Sequence, residues 1–216
     1  MPMKARRRLA LCLAALALCA LGAFAQAGRA QAGPSQAAPA QTGTAAALPP
    51  LPVLEIPPRP ADVPSFAQLD PDTGLHMTGS PQFINATTWR LKVSGKVGRE
   101  LSLSYDELRR LPRRTTRDPI ICEGYFEDYA NWAGASLSAV LDLAQLKPNA
   151  KGLELIAEDG YSTDVSLAEA RSPYALLLYE WEGKALPEFH GYPVRAAFPG
   201  LQGNKWVKWL VEIKVD

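Results

Sequence analysis

Cysteine is scarce in this chain of 216 residues: there are three, and Cys12 and Cys19 lie in a Leu/Ala-rich N-terminal run, which leaves Cys122 alone in the remainder. Histidine is scarcer still, with His76 and His190 as the two copies. One thiol and two imidazoles fall short of a compact four-ligand zinc site. No C-x-x-C-H spelling occurs, so no haem is attached through that motif. The net charge is +1 and no basic stripe carries interleaved aromatics, which excludes the electrostatic footprint of a nucleic-acid binder. Internal repeats are absent. The longest apolar run, Leu9 to Phe24, is shorter than the ~20 residues of a spanning helix.

What the N-terminus does have is the layout of an export signal. Lys4 and Arg6-Arg7-Arg8 precede the apolar run, and small-residue sites follow at Ala25-Gln26-Ala27 and Ala30-Gln31-Ala32. Residues 1–32 are therefore expected to be an export signal peptide, with an uncleaved anchor as the other reading and periplasmic delivery as the consequence. Membrane contact would then be limited to this transient segment. Arg6-Arg7-Arg8-Leu9 partly matches a twin-arginine signal, and general secretion reads the same residues equally well. Residues 33–79 are rich in Ala, Pro, Gln and Thr in their first half and carry few large apolar side chains. They are expected to form a largely disordered linker. Residues 80–216 are of a size to hold one core, hence one domain.

Within that domain, Trp89, Leu91 and Val93 alternate with polar neighbours, which predicts a half-buried strand over 87–97. Ser104-x-x-Glu107 and Ser166-x-x-Glu169 each spell a capping box before a short helix. Leu137, Val140 and Leu141 have helical spacing. Further strands are expected over 153–157, 161–165, 175–181, 193–198 and 210–215, and Arg113-Arg114 with Arg117 reads as a solvated edge. Short strands and helices interleave without a regular βαβ period, so the fold class is α+β, with a mixed β-sheet and short helices.

Cys122 closes the apolar run Pro119-Ile120-Ile121 and precedes Glu123-Gly124, so it should end a strand at a turn. In an oxidising compartment an unpaired thiol is either an inert core residue or a thiolate committed to a ligand. Three other stretches look chemical. Tyr179-Glu180 ends a buried strand. His190-Gly-Tyr-Pro-Val-Arg195 sets an imidazole and a guanidinium around a turn. Gly203-Asn-Lys205-Trp206-Val207-Lys208 is a glycine-led loop with two lysines. Backbone N–H groups beside glycine, together with a guanidinium, suit a phosphorylated anion. The plainer alternatives are a core tyrosine at 179, a loop histidine at 190, and surface ion pairs for Arg195 and Lys208.

These residues, in this order and spacing, resemble the sulfite-oxidase-type family of molybdopterin-dependent oxidoreductases. The likeness runs from Trp89-x-Leu-x-Val-x-Gly95 through Cys122-Glu-Gly124 and Trp132-x-Gly134 to His190-Gly-x-Pro-x-Arg195 and Gly203-x-Lys205-x-x-Lys208. It implies a sulfite-oxidase-like molybdopterin-binding fold and a molybdenum-molybdopterin cofactor. It also implies oxygen-atom transfer on a small sulfur or other oxo substrate, with electrons passed to or from a separate protein such as a cytochrome. By position, Cys122 corresponds to the metal ligand and Tyr179 to a catalytic tyrosine beside the metal's exchangeable oxygen. His190, Arg195, Lys205, Trp206, Val207, Lys208 and Asp159 correspond to cofactor-binding positions.

The chain departs from the sulfite-oxidising branch in lacking arginines after the ligand cysteine. Phe83-Ile84-Asn85 stands where an upstream arginine would be sought. Glu123, Glu127 and Asp128 form an acidic rim unsuited to a dianion, unless Arg113 or Arg117 folds back, and neutral sulfoxides remain open as substrates. Two other readings stand beside this one: a Cys122–His190 nucleophile pair oriented by Asn131 or Asn204, and a non-catalytic exported domain that keeps the molybdopterin-binding fold.

Overall fold

The computed structural model describes residues 48–216. In chain order the elements are β1 (Arg90–Gly95), β2 (Leu101–Ser104), α1 (Tyr105–Arg109), β3 (Arg113–Thr116), β4 (Ile120–Cys122), β5 (Phe126–Asp128), β6 (Trp132–Ser136) and α2 (Leu137–Ala144). There follow β7 (Gly152–Ala157), β8 (Ser162–Ser166), α3 (Leu167–Ala170), β9 (Leu176–Trp181), β10 (Lys184–Ala185), β11 (Arg195–Ala197) and β12 (Leu210–Val215). Two single turns of 3₁₀-helix, Glu188–His190 and Gly203–Lys205, lie between the last strands. The expected α+β class with mixed sheets is what the chain adopts.

One sheet has the order β2-β1-β12-β7-β8; its β1–β12 pair is parallel and the others antiparallel. A second has the order β10-β9-β6-β3, with β11 also paired to β9, and β4-β5 forms a separate hairpin. Alternation drives β1: Leu91 and Val93 are fully buried while Arg90 and Lys92 face out. Both capping boxes form, with Ser104 and Ser166 accepting from the backbone of Glu107 and Glu169 and the glutamates reaching back. The Arg113-Arg114 run is an edge strand, β3, with its side chains exposed. Charged side chains on an edge strand are a common device against edge-to-edge pairing.

Gly134 in β6 is required by packing. A Cβ there would overlap the carbonyl of Leu177 on the neighbouring β9.

The expected boundary at residue 80 is displaced. Residues 48–79 belong to the folded unit that runs from Leu48 to Asp216, while residues 1–47 lie outside the described part, and with them the signal and the first stretch of the linker. Asp70-Pro-Asp-Thr-Gly74 is a turn that reverses the chain: Asp70 N–H donates to the Leu75 carbonyl at 2.8 Å and Ala67 N–H to the Met77 carbonyl at 2.8 Å. Leu75 and Met77 are buried behind it. The apolar content of this stretch is low, yet three or four well-placed residues anchor it, which bulk composition does not register.

Candidate functional site

Cys122 ends β4, and its carbonyl accepts from Tyr125 N–H at 3.0 Å across a turn containing Gly124 at φ 79°. Its sulfur abuts the backbone of Gly203, where a Cβ would overlap Sγ. Only glycine lets the 203–205 turn come this close. Burial pushes the Cys122 thiol up, Asp128 adds to the push, and Arg195 and Lys208 oppose it. The thiol opens on a cavity of about 470 Å³ whose wall also contains Asp159, His190, Arg195, Trp206, Val207 and Lys208. Seven of the nine positions expected from the sequence thus meet around one space.

Arg195 begins β11 opposite Leu178 of β9 and is 3% exposed. Its Nη1 and Nη2 donate to the carbonyls of His190 and Trp206, both at 3.2 Å, and its Nε is buried with no partner. The guanidinium lies near the Trp132 ring, 5.5 Å from the centroid. Lys208, 8% exposed, donates from Nζ to the carbonyls of Thr78 (2.8 Å) and Phe189 (3.0 Å). Neither cation forms an ion pair with a carboxylate among the described residues. Burial lowers Arg195 to about 10 and holds Lys208 well below the usual lysine range, where the Arg195 charge adds to the effect. Two buried cations satisfied only by carbonyls are costly unless an anion joins them.

His190 sits on the first 3₁₀ turn, and its Nε2 lies 2.8 Å from Asp70 Oδ2. The Thr73 hydroxyl donates to the same oxygen at 2.8 Å. Burial and the nearby Lys208 charge lower His190 to about 3, so the ring is neutral. Burial alone would raise the Asp70 carboxyl, but the bonds from His190, Thr73 and the Asp72 backbone outweigh it and hold it ionised. A neutral imidazole therefore donates from Nε2 to a buried carboxylate, which fixes its orientation. Asp159 caps its own turn, accepting from Tyr161 N–H at 3.1 Å.

Two expected positions are elsewhere. Tyr179 is buried in the main core, against the edge of the Tyr105 ring at 6.4 Å, and is not part of the cavity wall. Strand alternation explains this: adjacent positions of β9 point to opposite faces, and 179 falls on the core side. Lys205 turns outward to Thr163 Oγ1 (2.9 Å) and the Asp164 carbonyl (2.6 Å). The substitute cations are absent as well. Arg113 pairs with Glu180 at 2.5 Å, Phe83 lies beneath Arg59, and neither Arg113 nor Arg117 lines the cavity.

Asp128, expected in an acidic rim, does line the cavity, whereas His76 and Phe66 in the same wall carry no sequence signal of a site. His76 Nδ1 is 2.6 Å from Asp128 Oδ1, and His76 N–H donates to Asp128 Oδ2 at 2.9 Å.

A cavity with one thiol, two buried cations free of carboxylates and a glycine backbone against the sulfur has the donor set to receive an anionic group. The family described as oxidoreductase molybdopterin binding domain matches residues 77–216, and the chain belongs to it. Its relatives place it in the sulfite-oxidase-type branch of molybdenum-dependent oxidoreductases, and its cofactor is molybdenum-molybdopterin. The chain is 31% identical over 137 residues to the uncharacterized oxidoreductase YuiH of Bacillus subtilis, covering 63% of this chain and 69% of that protein. It is 31% identical to the mitochondrial sulfite oxidase of Rattus norvegicus, covering 68% of this chain but 30% of that one. A putative protein-methionine-sulfoxide reductase subunit, YedZ1 of Azospira oryzae, is 28% identical over 59% of this chain and 48% of its own length. Among solved structures, the sulfane dehydrogenase SoxCD of Paracoccus pantotrophus matches with a TM-score of 0.60 and 26% identity, over 63% of this chain and 40% of that one.

Proposed function

We propose that this protein is an exported oxygen-atom-transfer enzyme in which Cys122 is the protein's ligand to molybdenum. The observation that carries this is the pair of buried, carboxylate-free cations, Arg195 and Lys208, in the same cavity as the lone thiol. An anionic pterin phosphate meets the need of both, and the unpartnered Nε of Arg195 is a donor available to it. Trp206, Val207 and Asp159 supply the adjoining wall, and neutral His190, locked by Asp70, presents a fixed ring edge. The molybdenum centre, when bound, supplies two-electron oxygen-atom transfer. The chain's own part is to donate a soft thiolate, neutralise the phosphate and exclude bulk water. Electrons pass to or from a separate redox protein such as a cytochrome.

The substrate we infer is a neutral oxo compound of the sulfoxide class. Arg195 and Lys208 are the lysine and arginine side chains of the cavity wall, both committed inward, while Glu123, Asp128 and Asp159 add negative charge. A dianion such as sulfite would meet repulsion at entry.

The test is to purify the mature protein from the periplasmic fraction and measure molybdenum, pterin and turnover with a dye donor or acceptor. Wild type should lack residues 1–32 and hold about one molybdenum per chain. Cys122→Ser should keep the fold while turnover falls by more than about 100-fold. Full activity in Cys122→Ser overturns the ligand assignment, and absence from that fraction overturns export.

A further inference from the structure

We propose that the arginine-bearing edge around β3, from Arg110 to Arg117, is the docking face for the redox partner, and that this partner is a one-electron carrier with an acidic surface. The inference deepens the reading above, on which electrons pass to or from a separate protein, and rests on it.

The charge here is concentrated and largely uncommitted. The whole chain has a net charge of +1, yet residues 109–118 hold Arg109, Arg110, Arg113, Arg114 and Arg117 against Asp118 as the single acid. Two of these arginines are engaged locally. The Arg109 side chain is 9% exposed and donates to the Pro52 carbonyl, and Arg113 pairs with Glu180. Arg110, Arg114 and Arg117 are exposed and form no ion pair with a carboxylate among the described residues. Arg110 Nη1 donates to the Pro49 carbonyl at 2.9 Å, which orients the guanidinium without neutralising it. The neighbouring acids are occupied: Thr116 Oγ1 donates to Asp118, and Asn131 donates to both oxygens of Glu182. Those Asn131 bonds hold the Glu182 carboxyl low, and the Arg117 charge adds to the effect.

Protection against edge-to-edge pairing needs charge within the strand itself. Arg110, at the C-cap of α1, and Arg117, in the link to β4, lie outside β3 and do not serve that purpose. Arginine's planar fork matches carboxylates in two-pronged fashion, so three uncommitted guanidinium groups along one edge suit an acidic protein surface.

The edge is also placed for electron transfer. β3 pairs with β6, where Thr116 stands directly opposite Trp132, so these two side chains share a face of the sheet. Trp132 is 1% exposed, and its ring lies 6.4 Å from that of Trp206, which lines the cofactor cavity. The path from cavity wall to arginine edge is one ring contact and one strand spacing, the latter roughly 5 Å. Past Arg117 the chain runs through Asp118 and Pro119 into β4, which ends at Cys122. None of residues 110–118 lines the cavity, whose wall carries Glu123 and Asp128. Carrier and substrate thus approach by separate surfaces of opposite charge. In the sulfoxide direction, two reduced carriers dock in turn and each is oxidised by one electron. The two electrons, with two protons from solvent, convert the sulfoxide to its sulfide and one water.

The experiment uses the loaded protein with two probes: flavodoxin, an acidic one-electron flavoprotein, and cytochrome c, a basic haem protein. Binding of the oxidised probes is measured by calorimetry. Turnover of methyl phenyl sulfoxide is driven by reduced flavodoxin or by a reduced dye. Flavodoxin should bind, losing about 10-fold or more in affinity between roughly 20 and 200 mM salt, and cytochrome c should not bind. Arg114→Glu/Arg117→Glu should weaken flavodoxin binding by about 10-fold or more and slow flavodoxin-driven turnover to match. Its dye-driven turnover and molybdenum content should stay within about twofold of wild type. Lys147→Glu/Lys151→Glu, the same charge change at exposed lysines elsewhere, should bind flavodoxin as wild type does. The proposal is overturned if the arginine variant binds flavodoxin as tightly as wild type, or if the lysine variant loses as much. Failure of flavodoxin to bind wild type also overturns it, and binding of phosphatidylglycerol vesicles in its place would make the edge a membrane contact. Docking through the two arginines with no turnover from either donor upholds the edge and counts against the oxygen-transfer reading instead.

Discussion

Two tyrosines and two lysines carry the lesson at the scale of single residues. Tyr179 matches a catalytic position by sequence, yet its ring belongs to the core and touches Tyr105 and not the cavity. Tyr179→Phe therefore removes a hydroxyl remote from the substrate, and steady-state turnover should stay within about twofold of wild type. A drop of 100-fold would return the residue to the reacting centre. Lys208 and Lys205, three positions apart, divide in the same way: one is buried in the cavity and the other bonds Thr163 outside it. Residue type and spacing identified the loop, but which face each side chain takes is decided by a 3₁₀ turn over Gly203–Lys205 that spacing alone does not encode. Cys122, His190 and Arg195 were legible because each is held by a local signal: a strand end, a turn and a strand start.

At the scale of elements, the strands with alternation or an apolar run were readable, the three-residue β4 and β11 among them, and those with neither were not. β1, β7, β9 and β12 were expected within a few residues, whereas β2, β5, β6 and β10 were not. β6 reads Trp-Ala-Gly-Ala-Ser, poor in β-branched residues, and becomes a central strand because small side chains let β9 approach it. Gly134 is the tightest point of that approach. Gly134→Ala must displace the Leu177 backbone and should cost about 1–3 kcal/mol, read as a lower urea midpoint with unchanged slope. An unchanged midpoint would mean that β6 and β9 have slack that the packing does not suggest. The hairpin β4-β5 follows the same logic in reverse. It belongs to neither sheet, so its three-residue strands are free to carry Cys122 and Asp128 to the cavity.

Across the whole molecule, the segment before the family match is tied to the site by His76 on Asp128 and by the buried pair Asp70–His190, and the second pair makes stability depend on pH. Asp70, on the turn ahead of residue 77, accepts from His190, on the 3₁₀ turn far along the chain. In the unfolded chain the imidazole takes up a proton near its ordinary value of 6.5, but in the folded protein only near about 3. Between those values the unfolded state binds more protons, so acidification favours unfolding. Stability should be fully present above pH 6.5 and fall as pH drops toward 3, with a slope of up to about 1.4 kcal/mol per pH unit. Asp70, also lowered, acts in the same direction at the acid end of that window. Urea titrations at pH 7 and pH 5 should show the difference, and His190→Gln, which keeps a donor for Asp70 but cannot titrate, should flatten it. Equal midpoints for wild type at the two pH values would mean that the imidazole is protonated in the folded state. The neutral-ring account of how residues 48–76 are joined to the cofactor cavity would then be wrong.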